Sequence, residues 1–269
     1  MSPVTEIIYL TLKPTVKPED PDNDEGRVFF EAQQAVKQQS GYQSSYWGRT
    51  EEDENNVVWI VEWKDTTSSV PLSLLTPILS PSSTPITTHT TLTPPLPTST
   101  HPHHPHHTHT HTHTHTHPHD QPTLPTTPTT ELTILAFPSS LPFAEKSSIC
   151  TNLSNFRSAL LNIPEPPTPT TPTPTNKEEK APARAPRFFS LGWAERPSTV
   201  KHPDSPSGEA ELAVMVIGWG SVGEHMAVRA TEAFREAVRP LRERMLEGIK
   251  VLEMRHVRFL GEGGKEKGE

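Results

Sequence analysis

VVWIVEWKDTTS at residues 57–68 and ELAVMVIGWGSVGE at residues 211–224 are two versions of one pattern: a strand rich in β-branched and apolar residues, closed by a tryptophan, running into a polar segment. In the first, Val58 and Ile60 alternate with Trp59 and Val61, so both faces of the strand are apolar. A sheet wet on one side would alternate apolar with polar; a strand apolar on both sides predicts cover on both.

Working outward from the first copy, Tyr42–Arg49 (YQSSYWGR) is an aromatic strand joined to Val57–Trp63 by the polar turn EEDENN, which makes a hairpin. Upstream, Thr5–Leu12 (TEIIYLTL) is apolar on both faces and stopped by Pro14. Asp22, Asp24 and Glu25 then place negative charge at a helix start, and Val28, Phe29, Ala32, Ala35 and Val36 follow at helical spacing up to Ser40-Gly41. Downstream, Val70–Leu79 is Leu-rich, Pro71 and Pro77 shorten whatever helix it forms, and Ile86–Leu92 closes a βαββαβ order.

The second copy has the same neighbours. Glu131–Phe137 (ELTILAF) predicts a strand, and Phe143–Ile163 a helix with Ile149, Leu153, Phe156, Leu160 and Leu161 inward. Arg187–Trp193 (RFFSLGW) and Glu211–Trp219 form a second hairpin. Ser221 and Glu224 make an S-x-x-E capping box for a final helix, with Val222, Met226, Ala230, Phe234, Ala237, Leu241 and Met245 as its buried stripe and a kink at Pro240. Gly248 ends that helix, and Ile249–Leu260 is the last strand.

Between the copies, residues 94–130 are almost entirely Pro, Thr, Ser and His, too poor in apolar surface to offset the entropy of ordering, and are expected to be a disordered linker. Its core, HTHTHTHTHTH at 107–117, is what a cytosine-adenine dinucleotide repeat encodes in one frame. Such a tract binds nickel, zinc or copper loosely, and metal handling through it is a third functional reading beside the two developed below. Residues 164–186 form a second low-complexity insert and 261–269 a loose tail.

Composition narrows the function classes. Only 32% of the 269 residues are hydrophobic and 31 are proline, so the packed portion is much shorter than the chain. A net charge of −8 without a basic stripe removes the attraction that supports nucleic-acid or anionic-membrane binding. Cys150 is the only cysteine, which excludes an intrachain disulfide and a thiolate-rich zinc site. With no leader-like N-terminus and no run of eighteen apolar residues, the expectation is a soluble, cytoplasmic protein. Ser-His-Asp, phosphate-loop and CxxC signals are absent.

The two copies align as an internal duplication. YWG (46–48) matches LGW (191–193), VEWKDTTS (61–68) matches IGWGSVGE (217–224), Trp63 matches Trp219, and His89 in THTTL matches His256 in RHVRF. A βαββαβ unit stacks its helices on one sheet face and leaves the other face apolar, and two such units bury those faces against each other. The expected fold is therefore α+β, two ferredoxin-like repeats (1–93 and 131–260) forming a pseudo-symmetric α/β barrel within one chain. GYQSSYWGRT (41–50), WKDTTS (63–68), GWGSVGEHMAVRATEAF (218–234) and LEMRHVRF (252–259) together resemble fungal tandem proteins of the antibiotic biosynthesis monooxygenase type, in the dimeric α/β-barrel superfamily.

The resemblance implies a small oxygenase that oxidises a quinol-like, polyphenol or polyketide-type molecule without metal or flavin, so no cofactor is expected. It also implies a partner list limited to a small-molecule ligand, with a monomer holding an internal pseudo-dimer, or a homodimer. In such oxygenases Trp, His, Asn and Tyr side chains hold an electron-rich ring and help remove its proton. Trp219 and His225 match that role, His225 as base because its ordinary pKa lies near neutrality. Tyr46, Trp47, Trp63, Trp193 and His256 are the candidate substrate contacts. The first half has Asp65 or Thr66 where the second has Ser221, and no following His, so its equivalent site is expected to be defective. The alternative is a non-catalytic small-molecule-binding or stress-associated barrel, with Trp219 as core and His225 as a helix-surface residue.

Overall fold

Strand alternation decides which side chains meet, and here it sorts the apolar residues into three clusters. In a computed structural model describing residues 3–20, 22–81, 84–92, 127–164, 181–247 and 254–260, the elements run β1 (Val4–Thr11), α1 (Asp24–Lys37), β2 (Tyr42–Arg49), β3 (Asn56–Trp63), a 3-10 turn (Leu72–Ile78) and β4 (Ile86–Thr90). They continue with β5 (Thr129–Pro138), α2 (Phe143–Leu161), β6 (Phe188–Arg196), β7 (Val200–Lys201), β8 (Glu209–Trp219), α3 (Val222–Arg229), α4 (Glu232–Arg242) and β9 (Arg255–Val257). The low-complexity tracts, most of the linker and insert ranges, and the tail lie outside the described residues, as does Gly248.

The strands form one antiparallel sheet in the order β2-β3-β1-β4-β6-β8-β5-β9, with β7 beside β8. Its halves share one connectivity: β1 lies between β3 and β4 as β5 lies between β8 and β9, and β2 pairs with β3 as β6 pairs with β8. The halves join where β4 pairs with β6, at His89↔Arg196 and Thr90↔Ala194. The outer strands also meet, through bridges Thr50↔Val257 and Trp47↔Leu260.

Val58 and Ile60 of β3 join Ile7 and Tyr9, and with Leu132, Ile134, Val214 and Val216 of the other half make one buried cluster. The opposite faces are covered separately. Ile8, Trp59, Val61 and Trp63 pack beneath α1 and the 3-10 turn, while Leu135, Phe137, Ile217 and Trp219 pack beneath α2, α3 and α4. The two-sided apolar strands thus have cover on both sides.

Three local expectations change. The last helix is two helices, with the break at Thr231 rather than a kink at Pro240: the Thr231 hydroxyl accepts from the Phe234 N–H (3.2 Å) and donates to the Val228 carbonyl (2.7 Å), capping α4 and tying off α3. Pro240 sits inside α4. Within the short α3, Met226 is 49% exposed and His225 takes the inward position, 1% exposed. Ala35 of α1 faces solvent and Gln33 inward. The described part of the last strand is confined to Arg255–Val257, with a further bridge at Leu260.

Candidate functional site

The second-half site is built at the end of β8. Trp219 closes that strand on the helix side of the sheet, Gly220 and Ser221 turn the chain, and α3 runs back over the same face. The Ser221 hydroxyl accepts from the Glu224 N–H (3.1 Å), and the Glu224 carboxylate accepts from the Gly220 N–H (2.9 Å), which fixes the pitch of the first turn. His225 thereby lands flat on Trp219, ring centroids 4.9 Å apart and planes 16° from parallel. Both side chains are buried, so they fill space against each other as a stacked pair.

Beneath His225 lies a residue the motifs did not indicate. Glu131 of β5 is 5% exposed and is the one charged residue of that strand. Its carboxyl accepts from Trp219 Nε1 (2.9 Å) and from the Thr133 hydroxyl (2.7 Å), and lies 3.3 Å from His225 Nε2. On the other side, His225 Nδ1 lies 2.7 Å from His256 Nε2, and His256 Nδ1 lies 2.7 Å from Glu52. The Glu52 carboxylate also accepts from the His256 backbone N–H at 3.0 and 3.1 Å. Glu52 comes from the β2–β3 turn of the first half, and its side chain is 36% exposed.

Burial sets the charge states. It holds His225 down to about 3 from its ordinary 6.5, with the neighbouring His256 and Arg229 acting in the same direction, so the ring is neutral near pH 7. Burial also raises the Glu131 pKa, against the opposing pull of the Thr133 and Trp219 hydrogen bonds. A carboxylate at Glu52 can only accept, which puts the His256 proton on Nδ1 and leaves its Nε2 as acceptor. With His256 Nε2 accepting, His225 donates from Nδ1, and its Nε2 is left facing the Glu131 carboxyl at 3.3 Å.

The first half carries a matching constellation. Glu6 accepts from Trp63 Nε1 (2.7 Å) and lies 3.4 Å from His89 Nε2, and burial raises its pKa as well. The sheet register makes the equivalence explicit: Glu6 opposes His89 as Glu131 opposes His256, and Val4 opposes Trp63 as Thr129 opposes Trp219. Two positions differ. Ser69, six residues after Trp63, stands at the offset of His225, and there the Val70 N–H donates to Glu6 (3.0 Å) in place of an imidazole. Arg196 stands at the offset of Glu52, each four residues after the glycine of its strand, and only its carbonyl meets His89 Nδ1, at 3.3 Å.

The remaining candidates do not converge. Tyr46 is half-buried against the cluster shared by both halves. Trp47 and Trp63 belong to the first half's helix layer, in edge contact with Phe29 (5.2 Å) and Tyr42 (6.3 Å). Trp193 packs on Phe137 at 5.7 Å beneath the Lys146 ammonium. His256 alone joins Trp219 and His225. A recess of about 130 Å³ lined by Tyr9, Thr11, Thr50, Asn56 and Arg255 includes none of them. His225 and His256 spend ring nitrogens on each other, and among the described residues no group of three or more His, Cys, Asp or Glu is placed to hold a metal ion. None of the described helices is long and apolar enough to cross a membrane.

No protein-family model and no curated protein sequence matches the chain. Solved structures do. An anthrone oxidase-like protein superimposes with a TM-score of 0.57 at 11% identity, over 100% of this chain and 98% of its own. A proposed monooxygenase from Fusobacterium nucleatum gives 0.48 at 9% identity, over 100% and 98%. A chlorite dismutase from Candidatus Nitrospira defluvii bound to imidazole gives 0.42 at 9%, over 95% and 90%. The first of these establishes likeness of fold, the α+β arrangement around a large antiparallel sheet, and at such identity likeness of fold carries no activity with it.

Proposed function

We propose that the chain is a tandem α/β barrel of the antibiotic biosynthesis monooxygenase type, and that its second half oxidises a small aromatic or polyketide-type molecule without metal or flavin. The repeated strand connectivity, the repeated Trp-Glu-His register and the two bridges between the outer strands support the duplication and the closed sheet. On this reading the repeats span residues 1–93 and 131–260, with β5 opening the second one two residues before the expected boundary, at Thr129.

One observation carries the chemistry: a buried, neutral imidazole, His225, stacked on an indole and hydrogen-bonded within a chain of titratable groups. Burying such groups costs stability, and the second imidazole that the first half lacks supports a use for this one. The first half, which lacks the second imidazole, satisfies its glutamate with a backbone N–H instead. His225 is the ring that takes the substrate proton, on Nε2 when Glu131 is ionised, and the carbanion left behind reduces dioxygen; burial, which holds its pKa to about 3, removes the near-neutral poise expected from the sequence and makes it a weaker base.

Oxygen uptake with anthrone or a quinol tests this. His225→Ala should lower the rate by about 10²- to 10⁴-fold, the usual contribution of a general base, while removing the His-Thr tract at 101–119, which lies outside β5, leaves it unchanged. Equal rates in both variants sink the role of His225. A second reading, a binding protein that performs no reaction, is favoured by one fact: Trp219 and His225 are each only 1% exposed. It predicts quenching of tryptophan fluorescence by the aromatic ligand with no oxygen consumed.

A further inference from the structure

We propose that Glu131, His225, His256 and Glu52 form a proton relay that runs from the sheet–helix layer of the second half to the surface at its seam with the first, with Glu52 as the exchange point. The four groups stand in line, with hydrogen bonds of 2.7 Å from His225 to His256 and from His256 to Glu52, and Glu131 3.3 Å from the remaining nitrogen of His225. Glu131, His225 and His256 are at most 5% exposed, whereas the Glu52 side chain is 36% exposed. One end is dry and the other wet. Each imidazole offers one nitrogen to each neighbour, the arrangement through which a ring passes a proton by receiving on one side and releasing on the other.

The protons balance. The relay starts from the state in which Glu131 holds a proton, Glu52 does not, and each ring carries its hydrogen on Nδ1. Three single shifts, Glu131 to His225 Nε2, His225 Nδ1 to His256 Nε2, and His256 Nδ1 to Glu52, move one proton equivalent outward. Glu131 becomes a carboxylate, Glu52 a carboxylic acid, and both rings end neutral in the opposite tautomer. No buried imidazolium need persist, which matters because burial holds the His225 pKa far below neutrality. Arg229, whose guanidinium contacts Met254 Sδ at 3.5 Å, opposes a positive His225 further and favours negative charge at Glu131.

The seam explains why only one half has the relay. Glu52 and Arg196 occupy matching places, but Arg196 is a permanent cation that turns its guanidinium to the Thr66 carbonyl (2.5 Å) and has no proton to exchange near neutral pH. His89 thus meets a carbonyl where His256 meets a carboxylate.

Insofar as the relay carries away a substrate proton, it rests on the base role proposed for His225, but its test does not need activity. Imidazole ¹⁵N spectra of the full chain report which ring nitrogen bears hydrogen. In the parent protein, His225 and His256 are expected mainly as Nδ1–H. Glu52→Ala removes the acceptor at the far end and should shift both rings toward Nε2–H, including His225, which Glu52 does not touch. Glu51→Ala, whose carboxylate faces Arg258 instead, should change neither. An unchanged His225 signal in Glu52→Ala with the amide spectrum retained, or the same change in both variants, overturns the relay. If oxygen uptake occurs, Glu52→Ala should lower kcat about 10-fold or more with KM unchanged, and added formate should restore part of it. A tautomer response without oxygen uptake keeps the relay and discards the oxygenase.

Discussion

At the residue scale, the proposal depends on side chains whose charge states burial has moved. His225 has a depressed pKa, so the unfolded imidazole takes up a proton as pH falls below 6.5 while the folded one does not until about 3. Its neutral burial therefore costs nothing above pH 6.5 and removes stability across the window beneath, by up to about 1.4 kcal/mol per pH unit. Glu6, Glu62 and Glu131 act with the opposite sign: their folded pKa values are raised, so their contribution is complete below 4.5 and declines as pH rises. Denaturation followed from pH 6.5 to 4.5 should show parent stability falling more steeply than that of His225→Asn; parallel curves would contradict the buried neutral ring. Much of this cluster was legible in the sequence. Trp63 with Trp219, and His89 with His256, could be paired by motif, but Glu6 and Glu131 were missed. Their signal was a lone acid inside the apolar strands TEIIYLTL and TELTILAF. Glu52 had no such signal, because nothing in EEDENN distinguishes one acid from the next until β9 arrives beside the turn.

At the element scale, α3 and α4 show where periodicity misleads. A single apolar stripe drawn from Val222 to Met245 assumes one unbroken helix, and Thr231 breaks it. Capping beats continuity here because the hydroxyl serves both ends, as acceptor for α4 and donor to α3. Thr231→Ala should destabilise the protein by about 0.5–2 kcal/mol, read as a lowered denaturation midpoint with unchanged slope. The consequence reaches the site, since the phase of α3 decides that His225 and not Met226 meets Trp219.

At the scale of the whole molecule, the two seams depend on matching glycines. The motif match of YWG with LGW was one residue out of register: Gly48 opposes Val58 as Gly192 opposes Val214, each valine five residues before the strand-end tryptophan, which aligns the glycines and leaves Trp47 and Trp193 two positions apart. A Cβ on Gly48 would lie 2.2 Å from the Arg258 carbonyl oxygen, and one on Gly192 would lie 2.3 Å from that of Thr91. Gly48→Ala and Gly192→Ala should each cost about 1–3 kcal/mol in chemical denaturation, because backbone and not a flexible side chain must move. The Gly48 variant should additionally disturb the His256–Glu52 contact, which shares its seam. The shared apolar cluster, drawn from β1 and β3 together with β5 and β8, ties the halves into one packed unit.

The asymmetry between the halves is what ties architecture to function, and oxygen uptake by two matched variants tests it most directly. His225→Asn, in the half with both imidazoles, should lower anthrone or quinol oxidation by about 10²-fold or more, while His89→Asn, in the half where a backbone N–H completes the glutamate, should leave the rate within about 3-fold of the parent. Equal losses in the two variants, or full activity in His225→Asn, would contradict the account.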